Sequence, residues 1–246
     1  MFGKLFGFKK KQEKKKDNQP DPKTEALINA IRERSKEDPL IGAKIGSKEI
    51  YQRLINGMKD ERGVHIESLL CALGALAGYS CQADLRAQAV AKEMPETSPF
   101  HTVETKDGKK YFFGDPLNNP LAEAQYSVWG LAAGAAQQAG CKEFPDLNEI
   151  FKHTSTVLGT PEFGIPRIPD DHKPGDTPIN YLKMLWPALF PTIKHFCPNP
   201  ADWPILYGLA IQEAIATGKA IIAPELALKI VMESAIPMSK VDLANI

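Results

Sequence analysis

The 246-residue sequence has no apolar run long enough to cross a bilayer. Its most apolar stretch, 66–78, would be a helix roughly 20 Å long, short of the ~20 apolar residues a membrane core demands. No apolar h-region with a small-residue cleavage site follows the basic start, which argues against a secretory signal. Cysteine is scarce: Cys71, Cys81, Cys141 and Cys197 are the four, and no two form a CxxC pair. Cys71 sits in an apolar run, where a thiol behaves as a small hydrophobe. These features together predict a reduced, cytoplasmic protein. Also missing are GxGxxG, GxxxxGK[ST], GxSxG, HExxH and an EF-hand loop, so nucleotide, lipase, metalloprotease and calcium chemistry lack their usual signatures. No cofactor or metal is indicated.

Charge is balanced overall but not along the chain. Residues 1–22 hold seven of the 30 basic groups and three of the 30 acidic ones, which leaves the remainder mildly acidic. An acidic body is not the footprint of a nucleic-acid-binding fold; the arm alone would bind nucleic acid in a salt-sensitive, sequence-blind way. In that arm, Phe2, Leu5, Phe6 and Phe8 precede Lys9, Lys10, Lys11, Lys14, Lys15 and Lys16. Aromatics that enter the headgroup region, beside lysines worth about 1 kcal/mol each near an anionic leaflet, describe a peripheral membrane anchor. The competing reading is a solvated tail. Either way 1–22 reads as a basic flexible arm and 23–246 as one mainly helical domain.

That domain is organised around 64–79, VHIESLLCALGALAGY. Leu69, Leu70, Leu73 and Leu76 are interspersed with Cys71, Ala72, Gly74, Ala75, Ala77 and Gly78, leaving no polar face, so this helix is expected to be buried. Residues 121–139 repeat its character, with Gly130 and Gly134 four apart as Gly74 and Gly78 are. Small residues at that spacing let helix backbones approach closely, so the two helices are expected to pack on each other. Between them, 100–105 and 109–113 bracket Asp107-Gly108, the signature of a β-hairpin. The fold class is therefore mainly α: a multi-helix single domain around two Ala/Gly-rich buried helices, with one β-hairpin insertion.

Around that centre, 23–36 predicts a surface helix stopped at Asp38-Pro39, and Ser47 is placed as the N-cap of a helix over 48–60. Residues 79–93 are ambiguous, because Cys81, Ala83, Leu85, Ala87, Ala89 and Ala91 alternate as in a strand while their composition favours helix. Asp146 caps a helix to about Val157. Further helices are expected over 179–186, 188–196 after a break at Pro187, 201–217 and 224–235, followed by a poorly fixed tail over 237–246. Residues 159–178 have no periodicity, but their prolines, with Phe163, Ile165 and Ile168, predict an ordered loop docked on the core.

Two places concentrate polar chemistry. His65 and Glu67 enter the central helix, and Asp171 and His172 lie in the proline-rich loop; these four are the candidate catalytic groups. Arg167 would bind an anion bidentately, and Asp115 and Trp186 complete the candidate ligand contacts. A His65–Cys71 dyad is excluded within one helix, since six residues place them about 240° apart. His65-Ile66-Glu67 lacks the PCxxC that a zinc deaminase needs. The remaining aromatics, Tyr126, Trp129, Tyr181, Trp203 and Tyr207, read as packing residues. Two functions stay open. One is a non-enzymatic helical interaction or ligand-binding protein, held at the inner face of an anionic membrane by its arm. The other is an enzyme of unassigned reaction class, with its site between residues 63–71 and 159–178.

Overall fold

Residues 22–244 are described by the structure, a computed structural model; the arm residues Phe2, Phe6, Phe8, Lys9, Lys10 and Lys11 lie outside them. Helix α1 (Pro22–Arg34) leads through a turn at Asp38, whose carboxylate takes Leu40 N–H and Lys44 Nζ, into α2 (Ile41–Met58). Ser47 is therefore not a cap. It is buried inside α2 and donates to the Lys44 carbonyl. The helix begins earlier because Gly42 and Gly46, loop-like in sequence, bring its backbone against Phe196.

Helix α3 (Ile66–Ala91) is continuous for 26 residues, so the ambiguous 79–91 segment is helical and its alternation is incidental. Strands β1 (His101–Glu104) and β2 (Lys110–Phe113) pair antiparallel, His101 opposite Phe113 and Glu104 opposite Lys110, around Gly108 at φ +80°. The one long helix expected over 121–139 is divided. A short α4 (Asp115–Asn118) and a π turn (Asn119–Glu123) end at Ala124 in extended conformation, and α5 (Val128–Gln138) starts afresh. Ser127 Oγ accepts the Gly130 N–H there, a competing start signal inside an otherwise apolar pattern. Helix α6 (Leu147–Thr156) is capped by Asp146 as its sequence predicts.

Helix α7 (Pro178–Phe196) runs unbroken through Pro187 and Pro191. Both prolines are on the solvent face, where the carbonyls they orphan reach water, while Leu182, Leu185, Leu189 and Ile193 are buried opposite. Helices α8 (Trp203–Gly218) and α9 (Pro224–Met238) complete the chain of helices.

The mainly helical class with one hairpin holds, but the expected centre does not. Helices α3 and α5 each pack on α8 and α9 rather than on each other. Gly74 and Gly78 face the α9 backbone at Val231 and Ala235, whereas a methyl added at Gly134 would meet nothing within 4 Å. The final segment is not a loose tail either. Residues 238–241 are buried, Phe112 N–H donates to the Lys240 carbonyl at 2.8 Å, and Tyr111 bridges Val241 beside β2. Gln82 Nε2, on α3, donates to the Ser239 and Val241 carbonyls and clamps that segment from the other side. Among the described residues no helix is long and apolar enough to cross a membrane.

Candidate functional site

His65 stands at the N-cap of α3, and Glu67 and Ser68 occupy its first turn, where free N–H groups and the positive helix end favour a carboxylate. The 159–178 loop folds over this end. It places a 3-10 turn, Asp170–His172, so that His172 Nδ1 lies 2.8 Å from Glu67 Oε1. His65 Nε2 is 3.2 Å from Glu67 Oε2, so the carboxylate spans two imidazoles. The other His65 nitrogen is 2.8 Å from Ser68 Oγ, which also accepts the Gly175 N–H at 2.8 Å. Glu67 Oε1 and the Ser68 hydroxyl thereby join loop to helix, while Glu67 Oε2 is engaged by the N-cap residue of its own helix. The Glu67 carboxylate raises the His172 pKa, against a smaller opposing effect of burial. Asp171 is largely exposed and reaches His172 only at 3.9 Å.

The other predicted ligand contacts are not brought to this cluster. The Arg167 guanidinium forks between Glu233, at 2.7 Å from Nη2, and Glu149, also at 2.7 Å, and so fastens the loop to α9 and α6. Four of its five side-chain N–H donors are taken by these carboxylates, so no bidentate fork is left for an anion. Asp115 is exposed at the start of α4 and its side chain makes no hydrogen bond among the described residues. Trp186 is buried, stacked on Phe190 at 5.1 Å and edge-on to Tyr79 at 4.8 Å, a packing role. Cys71 and Cys197 are buried, and burial pushes each thiol up to about 12, far from a nucleophilic thiolate. Among the described residues no three His, Cys, Asp or Glu side chains are grouped to hold a metal ion.

Solvent-open clefts lie elsewhere. One of about 540 Å3, between α2, α5 and α8, carries Lys44, Lys48 and Lys219 beside Glu213. Another, of about 640 Å3, lies where α3 meets the π turn and the start of α8. Asp84 and Gln88 of α3 line it, with Asn119, Gln125 and Tyr126 opposite. Asp84 is only 4% exposed, and the one hydrogen bond its side chain accepts among the described residues, from Gln88 Nε2 to Oδ1 at 2.7 Å, comes from a neutral amide. Burial raises its pKa, and the nearby Asp202 charge adds to the effect. Asp202 is itself half-buried, and desolvation raises its pKa too. The sequence offered one signal for this place: Asp84 and Gln88 are one turn apart in an alanine-rich segment, which becomes a polar stripe only if the segment is helix.

No family model, curated protein or solved structure matches this chain.

Proposed function

We propose that the chain is a non-enzymatic, helical ligand-binding protein and that its ligand occupies the cleft beside Asp84. One observation carries this reading. A buried carboxylate with an uncommitted oxygen lines a cleft of about 640 Å3, a volume ordinary for a small-molecule site. By contrast Glu67 and Ser68 are spent on His65, His172 and the Gly175 N–H, which leaves the carboxylate no oxygen for a ligand. The test is ligand-observed NMR with a fragment set of amides, sugars, carboxylates and amines. Ala201 is exposed at the rim, so Ala201→Trp blocks the cleft without touching the core. Fragments bound by the wild type and lost in Ala201→Trp support the reading. No bound fragment, or equal binding by both proteins, overturns it.

Attachment at an anionic membrane face through Phe2, Phe6, Phe8, Lys9, Lys10 and Lys11 belongs to the same proposal. Flotation with anionic liposomes should carry the full chain and not a chain starting at Thr24; equal partition of both removes the anchor.

A second reading, an enzyme of unassigned reaction class, is favoured by the two imidazoles on Glu67, a geometry suited to acid/base work. Chromogenic esters, phosphate esters and amides offered to the wild type and to Glu67→Gln decide it. Turnover by the wild type alone supports it; no turnover by either ends it for hydrolysis.

A further inference from the structure

We propose that the ligand of the Asp84 cleft is an organic cation, carrying an ammonium or guanidinium group on an apolar body. The inference rests on the cleft being a binding site and adds the chemistry of what it binds.

A carboxylate taken out of water needs a compensating charge or several donors. Asp84 has neither: Gln88 supplies one neutral N–H to Oδ1, and Oδ2 accepts nothing among the described residues. Among the described residues the fully sealed polar side-chain atom without a partner is Tyr207 Oη; Asp84 Oδ2 is not sealed in, and Asp84 lines the cleft. Asp202 deepens the deficit. It sits at the N-cap of α8 without making a capping bond, and its charge repels that of Asp84. Among the described residues neither carboxylate forms an ion pair, although Lys and Arg elsewhere pair freely with carboxylates. Two negative groups with no cation of their own favour a ligand that brings one.

The walls fit the rest of such a ligand. Leu85, Pro120, Pro204 and Ile205 line the cleft with apolar groups, and Tyr126, 47% exposed, adds an aromatic ring, a group whose face attracts cations. Asn119 and Gln125 at the same cleft have carbonyl oxygens for further N–H donors. The positive group would come from a free polyamine or from a basic side chain of another protein.

Calorimetry on the full chain with three probes separates these cases: spermidine, N-acetyl-arginine methylamide, and N-acetyl-citrulline methylamide, the uncharged counterpart of the second. The expected result is binding of at least one cation, weakened about tenfold or more by Asp84→Asn and lost in Ala201→Trp, with the citrulline compound weaker by a similar factor. Asp84→Asn keeps the shape and the Gln88 contact, and an unchanged unfolding midpoint shows that it is folded. Preference for spermidine assigns a free polyamine; preference for the arginine compound assigns a basic side chain. Citrulline binding as tight as arginine, Asp84→Asn binding as tightly as the wild type, or no binding of either cation overturns the inference. If neutral fragments still bind and Ala201→Trp still removes them, the cleft reading survives that failure; if they do not, both fall.

Discussion

Gly78 and Ala235 touch backbone to backbone: a methyl group on Gly78 would overlap the Ala235 carbonyl. The α3–α9 interface is closed at that point with no room for a side chain. Gly78→Ala should therefore push the helices apart and lose about 3 kcal/mol or more in urea unfolding. Gly134→Ala is the matched control, since nothing lies within 4 Å of it. There the helix gains about 0.5–1 kcal/mol from the better helix former.

The loop clasp should respond to pH. Glu67 raises the His172 pKa above its ordinary 6.5, so the folded protein holds the imidazolium more tightly than the unfolded chain does. The stabilisation is complete below about 6.5 and fades as pH rises through the raised value. Unfolding of the wild type and His172→Gln, compared from pH 6 to pH 9, should give a stability gap that narrows with rising pH. A gap independent of pH would show that the ion pair adds nothing.

Arg167 compensates the buried carboxylate of Glu233, whose side chain is 3% exposed. Arg167→Met leaves that charge alone and should cost about 3 kcal/mol. Adding Glu233→Gln to the same chain should recover part of the loss, and the double-mutant cycle reads the coupling. Arg167→Lys should rescue poorly, because one ammonium cannot fork to both Glu149 and Glu233.

Lys240 is 3% exposed, with its ammonium 5.5 Å from the Phe113 and Phe151 rings. Burial lowers its pKa to about 8, so between that value and 10.5 the unfolded chain binds more protons than the folded one. The contribution of Lys240 to stability, read as the difference between wild type and Lys240→Met, should consequently rise with pH across this window. The buried Cys71 and Cys197 thiols act in the opposite sense above about 9. Lys240→Met should stabilise the protein at pH 7 by roughly 2–3 kcal/mol, after allowance for the lost cation–π contacts.

Much of the architecture is legible in the residues themselves, and the failures share a cause. The 64–79 run has no polar face and is buried, and Asp107-Gly108 makes the hairpin turn. Glycines four apart signal close approach without naming the partner: Gly74 and Gly78 meet α9, while Gly134 meets open space. Pro187 reads as a helix break because the rule assumes a buried carbonyl, yet Pro187 and Pro191 share the wet face of α7. Ser47 has the chemistry of a cap but sits mid-helix, and Ser127 caps where an uninterrupted helix was expected. At the candidate sites, His65, Glu67 and His172 stand out in sequence, but 105 residues separate Glu67 from His172 and only the fold brings them together. For Asp84 the sequence carries only its spacing from Gln88, since a carboxylate in an alanine-rich helix gains meaning from what surrounds it.

The amide of Gln82 reaches across 157 and 159 residues to the carbonyls of Ser239 and Val241. The face of α3 that carries Gly74, Gly78 and Gln82 therefore finds its cover only in a segment made some 157 residues later, so the central helix cannot be fully packed before that segment exists.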